Sequence, residues 1–349
     1  MNRKFWISLA LASVMVITAA CGANTGKTGK DTDDGNTVNS GSEAEKTYTI
    51  AISQIVEHPS LDATREGFIA ALKDAGIEEG KNLKIDFNNA QGDAANIKTI
   101  SQKIASSKSD LALGIATPTA QSLADDVKDI PVLFAAVTDP IDAGIVTQLQ
   151  APGGNITGAS DTNPVAITQT MDFIASQLPD VKNVGLIINE GEQNAVVMGN
   201  IAEEALDKHG IKLIKASVAN SSDVKQAADS LVGRVDAIYI TLDNMVVTGA
   251  DAIIDVANNN DIPFFSADRD TVEKGAFAAV GFKYYDHGYE VGQMAVEILK
   301  NGKYPGDMDV TVPQKLDFIF NMKAAAEQGI TVTDEMKAFV KDQQNNIIE

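Results

Sequence analysis

Short apolar runs alternate with stretches of helical period from Tyr48 onward, and the alternation is written twice in the same order. No other feature narrows the possible folds as much. In the first series, apolar runs at 48–53, 83–87, 111–116 and 132–137 read as strands, with helical spacing at 60–75, 94–106 and 120–127 between them. The second series places strands at 184–188, 212–217, 237–242 and 263–267, and helices at 195–208, 224–232 and 249–258. Strands joined through helices run parallel, and a parallel sheet needs helices on both faces. The stretch EGFIAALKDAGI ending at Ile77 also parallels NIAEEALDKHGI ending at Ile211, and DIPVLFAAVTD from Asp129 parallels DIPFFSADRD from Asp261. The reading is an α/β chain of two doubly wound parallel-sheet lobes related by duplication. The competing reading is chance recurrence of Ile-Pro-Phe strands.

A third part of the chain returns after both lobes are complete. Residues 276–285 (AFAAVGFKYY) read as a long apolar strand, 287–301 as a helix and 316–320 as a further strand, with Thr333 as N-cap of a last helix. Such a return has to cross between the lobes, so it forms the hinge. The folded chain divides on this reading into 47–157 with 284–310, and 158–283 with 311–349.

Residues 1–20 read as an export signal. Arg3 and Lys4 precede an apolar run from Phe5 to Ala20 that is too short to span a membrane. Ala19-Ala20-Cys21-Gly22 resembles a bacterial lipobox, with Thr18 where an aliphatic residue is usual, so Cys21 is expected to carry a lipid anchor. A plain signal peptide with an incidental cysteine is the alternative. Cys21 is the sole cysteine, which excludes disulfides, thiolate metal sites and a Cys nucleophile from the fold. Residues 21–46 are almost wholly polar and read as a disordered tether. The net charge is −20 with no basic block, which argues against nucleic acid as a partner. Trp6 is the only tryptophan, so the chain without its signal has none.

Ligands of doubly wound sheets sit beyond the carboxyl ends of the strands. Those ends carry Ser53 and Gln54 with Glu57-His58, then Ala90-Gln91-Gly92-Asp93, Thr117-Pro118-Thr119, Thr138-Asp139-Pro140, Asn189 with Gln193-Asn194, Asp243-Asn244 and Asp268-Arg269-Asp270. Arg269 is the one cation among them. Thr117 as N-cap with Pro118 as the first helical residue would leave free amides near Thr119, and Asp139-Pro140 repeats the device. Two helix starts and two hydroxyls make a mild anion site, suited to a carboxylate. The lone Arg and the lack of a Gly-rich loop disfavour phosphate. Asp243 follows its strand as Thr117 follows the first, so closure of the lobes would bring an acid opposite the anion site. A free amino acid has the matching charges, its carboxylate toward the threonines and its ammonium toward Asp243 or Asp161. Taken singly, each of these Thr and Asp residues reads equally well as a helix cap.

The stretches ISQIVEHPSLDATREGF at Ile52, NAQGD at Asn89, IATPTAQS at Ile115, FAAVTDPIDAGIV at Phe134, GASD at Gly158 and GAFAAVGFKYYDHGYEVGQMA at Gly275 carry a further signal. Together they resemble the solute-binding lipoproteins of ABC importers, in the branch typified by tryptophan and aromatic amino-acid importers of Gram-positive bacteria. The resemblance implies a type I periplasmic-binding fold with three crossings. It also implies closure on a small ligand outside the cell membrane, and a monomer that docks on a permease and its ATPase subunit. In branched-chain amino-acid binders of this fold, a Ser/Thr loop and an Ala-x-Thr loop hold the α-carboxylate. Ala136-Val137-Thr138 matches the second loop, and Thr117 and Thr119 stand in the first. Tyr284 and Tyr285 are candidates for an aromatic wall or for hinge core. INEGEQNA from Ile188 departs from the Ser-rich loop expected there.

An enzyme is a poor reading, since no GxSxG, P-loop, strand-borne GxGxxG or HExxH occurs, and no cofactor is expected. His58, His209 and His287 are far apart and lack partners for a metal site, although His58 at the first strand end could touch a polar ligand. The rival is a sugar- or nucleoside-binding protein of the same fold, using Asp268-Arg269-Asp270 for hydroxyls and Phe rings for stacking. A repressor would need a DNA-reading helix pair at the front, and an adhesion role is weakened by the absence of surface repeats.

Overall fold

The apolar runs become buried strands in a computed structural model that describes residues 46–349. The expected signal at 1–20, the lipid-bearing Cys21 and the tether as far as residue 45 lie outside the described residues. The first lobe takes its elements in the order β1 (Tyr48–Gln54), α1 (Pro59–Asp74), β2 (Leu83–Asn89), α2 (Ala94–Ala105), β3 (Leu111–Ile115), α3 (Thr117–Asp126), β4 (Val132–Val137) and β5 (Ile156–Ser160). Its sheet has the order β2-β1-β3-β4-β5 with every pair parallel. LALGI of β3 and VLFAAV of β4 are buried at every position, as strands covered on both faces must be.

The second lobe runs through α4 (Pro164–Gln177), β6 (Asn183–Ile188), α5 (Gln193–Asp207), β7 (Lys212–Ser217), α6 (Val224–Leu231), β8 (Ala237–Ile240), α7 (Asn244–Thr248), α8 (Ala250–Asn259), β9 (Phe264–Ser266), α9 (Arg269–Lys274) and β10 (Ala278–Gly281). Then α10 (Tyr284–Asn301) returns to the first lobe, and β11 (Asp317–Asn321) and β12 (Ile347–Ile348) complete the second sheet, ordered β12-β11-β10-β9-β8-β6-β7. That sheet is not wholly parallel as expected, because β11 pairs antiparallel with β10. Phe173, Phe265, Phe277 and Phe320 pack together on one face of it, and Phe264 with Ile238 and Ile240 on the other.

Four local expectations change. Residues 276–285 are not one strand: β10 stops at Gly281, and Tyr284 and Tyr285 open α10, whose buried face runs Tyr284, His287, Val291 and Met294. Thr117 is not the cap of α3 but its first residue, with Ala116 as cap at φ 84. Asp139-Pro140 opens a turn instead of a helix; the Asp139 carboxylate accepts from the Ile141 and Asp142 amides, and Gly144 follows at φ 69. The first sheet also extends through β5 to Ser160, past the expected boundary at 157.

Three segments link the lobes, at 161–163, 282–283 and 311–316. They are tied by Ser160 N–H to Thr311 O at 2.8 Å and Asn163 Nδ2–H to Pro313 O at 3.2 Å. Helix α10 meets α1 backbone to backbone: a Cβ on Gly288 would lie 1.8 Å from Thr64 O, and one on Gly67 2.0 Å from Tyr285 O. The start of α1 is therefore held rigidly against the linking segments. Among the described residues, no helix is long and apolar enough to cross a membrane.

Candidate functional site

Residues of both lobes meet over a closed cavity. Ser60 Oγ donates to Asp268 Oδ1 at 3.0 Å, His58 Nε2 lies 3.4 Å from Asn244 Oδ1, and farther out Gln121 Nε2 donates to Gln193 Oε1 at 2.9 Å. Beneath these bridges lie two adjoining chambers that share Asp161 and Leu242. The polar one is walled by the start of α1 (His58, Ser60, Leu61), by Ala136 and Thr138 at the end of β4, and by Asn194, Asn244 and Asp268 of the second lobe. The other sits against the linking segments and is walled mainly by apolar groups such as Ile167, Met198, Val280 and Phe282.

Charge in the polar chamber is one-sided. Burial raises the Asp161 carboxyl to about 6, with the nearby Asp268 charge adding to the rise and hydrogen bonds from Thr162 and Tyr284 opposing it. Tyr284 donates to Asp161 Oδ2 at 3.1 Å and Thr162 to Oδ1 at 3.0 Å. Asp268 accepts from Ser60, from the Asp270 amide at 2.8 Å and from Thr271 Oγ1 at 2.7 Å. Among the described residues, no Lys or Arg lines either chamber. Burial pushes His58 below its ordinary value, so the ring is neutral. With Nε2–H toward Asn244, its Nδ1 is a buried acceptor without a partner, and so is Asn194 Oδ1.

The helix starts around the cavity fall into two kinds. At α1 no side chain caps the first turn, so the Ser60 and Leu61 amides have no cap partner, and both residues line the chamber. At α7 the Asp243 carboxylate accepts from the Met245 and Val246 amides, both at 3.1 Å, and from Asn189 N at 2.5 Å. The buried Glu192 also accepts from Asn244 N at 3.1 Å and Asn244 Nδ2 at 2.6 Å. Burial and the Glu192 charge raise Asp243 to about 7.

Of the residues expected at the site, Thr138, Asp161, Asn244 and Asp268 come together in the polar chamber. The others stand behind it. Thr117 Oγ1 accepts from Thr138 N at 3.3 Å, and Thr119 Oγ1 bonds back to Ile115 O at 2.7 Å. Gln54 is held by Val56, Asp62 and Arg65, and Ser53 is buried within β1. Asp139 closes its turn, and Asp243 is wholly engaged as a cap instead of facing a ligand. Arg269 does not line the cavity; its guanidinium bonds Glu273 at 2.7 Å, Asn346 at 2.6 Å and Asn345 O at 3.0 Å. Tyr284 lines the polar chamber, whereas Tyr285 is exposed.

Sequence reasoning missed Ser60, Leu61, Glu192 and Tyr239. It also gave no sign of the distortion at Ala136, which sits at φ 55 in an irregular stretch of β4 and donates its amide to His287 Nε2 at 3.0 Å. Burial pushes His287 down to about 4, which keeps that nitrogen free to accept.

A model of ABC transporter substrate binding proteins matches residues 49–343. The chain belongs to the ABC transporter substrate-binding family. A tyrosine-binding protein of Clostridioides difficile is 36% identical over 347 residues, covering 99% of this chain and 98% of that protein. Among solved structures, an ABC domain from Streptococcus pneumoniae in complex with L-Trp superposes with a TM-score of 0.80 at 32% identity, over 87% of this chain and 100% of that one. The ligand-free, open structure of a Clostridium difficile substrate binding protein with adhesive properties gives 0.63 at 37% identity, over 86% and 98%. The ligand-holding structure fits better despite its lower identity, which agrees with the bonds that bridge the lobes here. Substrate-binding proteins of ABC transporters work outside the cytoplasm, and this chain is one of them.

Proposed function

We propose that this substrate-binding protein closes over one free amino acid with an aromatic side chain and hands it to the permease of an ABC importer. One observation carries the reading: two buried carboxylates, Asp161 and Asp268, face a chamber with no Lys or Arg among its described lining residues. Like charges so placed call for a cation from outside, and an α-ammonium answers. The His58 Nδ1 and Asn194 Oδ1 acceptors fit the same group. The uncapped amides of Ser60 and Leu61 at the start of α1, with the Thr138 hydroxyl, fit the α-carboxylate. The side chain then enters the apolar chamber, in keeping with the tyrosine-binding relative and the L-Trp-holding neighbour.

Thr138, Asp161, Asn244 and Asp268 touch the ligand on this reading. Ser53, Gln54, Thr117, Thr119, Asp139 and Asp243 support the walls. The protein acts as a monomeric carrier without catalysis, and lipid on Cys21 tethers it to the membrane.

A melting-temperature screen of the twenty amino acids beside a sugar panel tests the ligand class. Aromatic amino acids should raise the melting temperature, by the equivalent of about 2.7 kcal/mol at a hundredfold excess over Kd. A rise with sugars alone would contradict the proposal. Mass spectrometry of the membrane-extracted protein reads the expected lipid on Cys21 directly.

A further inference from the structure

The apolar chamber holds one polar side-chain atom that nothing in the fold satisfies. Tyr239 lines this chamber from β8, is 1% exposed, and its hydroxyl has no hydrogen-bond partner. The other polar side chains of the lining are all engaged. Thr170 Oγ1 bonds Ala166 O at 3.0 Å, Thr162 bonds Asp161, and Asn163 bonds Pro313 O and the Val165 amide. Thr241 Oγ1 on the same chain segment is also unpartnered, but Thr241 does not line the chamber.

A buried hydroxyl without a partner is costly, and a core that needed only bulk here would be served by phenylalanine, of which the chain has twelve. The ring is also fixed, because β8 is an inner strand that pairs Tyr239 with Leu186 on one side and Phe265 on the other. Burial holds the phenol well above its ordinary value, so it stays protonated and offers one donor and its lone pairs.

We infer that the Tyr239 hydroxyl reads a hydrogen-bonding group at the far end of the ligand's side chain, selecting tyrosine over phenylalanine. The inference rests on the amino-acid reading of the site. A ligand phenol can either accept from Tyr239 or donate to it, while a phenylalanine ring leaves the hydroxyl buried and unpaired. A pocket built around such a bond rejects the analogue that lacks it more strongly than a pocket built on shape alone.

Calorimetry on the full-length protein in detergent, wild type and Tyr239→Phe, with L-tyrosine and L-phenylalanine tests this. The wild type should favour tyrosine roughly tenfold or more. In Tyr239→Phe that ratio should collapse, with phenylalanine bound as well as before or better. The ligand-free variant should melt no lower than the wild type, because no bond within the fold is lost. An unchanged ratio in the variant, a wild type that binds both equally, or a ligand-free variant that melts clearly lower would overturn the inference. Wild-type protein that binds neither amino acid would sink the amino-acid reading as well, which separates the two failures.

Discussion

The two lobes place helix starts at the same cavity and use them in opposite ways. In the first lobe α1 begins at the chamber without a side-chain cap, at His58. In the second, Asp243 caps α7 and Asp268 caps α9, while α5 begins uncapped, at Glu192. An uncapped start keeps its amides and the positive end of its dipole for something else, whereas an acid at the cap satisfies the amides. Asp268 does both, bonding the Asp270 amide while lining the chamber. On the proposed reading, one wall then seeks an anion and the facing wall a cation, through a difference of a few side chains at helix starts.

The sharpest way to break this comparison is Asp243→Ala. If the carboxylate is a cap, its loss orphans the amides of Asn189 and Val246, leaves that of Met245 only its bond to Glu192, and costs about 3 kcal/mol in chemical denaturation. The order of preference among amino acids should stay the same in the protein that remains folded. A stable variant with altered preference would return Asp243 to the ligand.

Asp161→Asn has a smaller and opposite signature. Ligand affinity should fall roughly tenfold, because the ammonium loses a charged partner, while ligand-free stability holds or rises because burial disfavours that charge. The pH dependence sharpens the point. With Asp161 at about 6 against an ordinary 3.8, the ligand-free fold binds more protons than the unfolded chain between those values, so this group lowers stability as pH rises through that window and adds no further change above it. His287, at about 4 against 6.5, binds fewer protons when folded, so its contribution is lost as pH falls from 6.5 to 4. The two slopes oppose each other in melting data. Affinity separates them, since the ammonium prefers ionised Asp161. It should climb between pH 5 and about 7, by several-fold more in the wild type than in Asp161→Asn. Equal pH profiles in the two proteins would place the ammonium elsewhere.

Much of the fold could be read from Tyr48 onward because each strand is a short apolar run bounded by polar turns. The paired halves were readable for the same reason. The lining of the polar chamber was legible only where a side chain both ends a strand and faces inward, as at Thr138, Asp161, Asn244 and Asp268. Thr117 misled because threonine before proline is a good cap in general, and nothing in the sequence marks the positive φ of Ala116 that takes over the role. Tyr284 and Tyr285 misled because tyrosine suits strands, while the helix they join is set by close packing of α10 on α1 at Gly67 and Gly288. Asp139-Pro140 has a helix-start pattern, but the chain turns at Gly144 before a helix can form. Glu192 carries no local signal, since a glutamate in a loop reads as solvated until the fold buries it beside Asn244. Tyr239 within AIYI reads as ordinary core, and only the unpartnered hydroxyl beside a cavity distinguishes it.

The opposed walls are tested most directly by calorimetric titration with L-tyrosine, with tyramine, which lacks the carboxylate, and with 3-(4-hydroxyphenyl)propionate, which lacks the ammonium. The account predicts measurable binding of the amino acid and at least roughly hundredfold weaker binding of both truncated molecules, each leaving one wall unanswered. Tyramine or the propionate binding as tightly as tyrosine would contradict it.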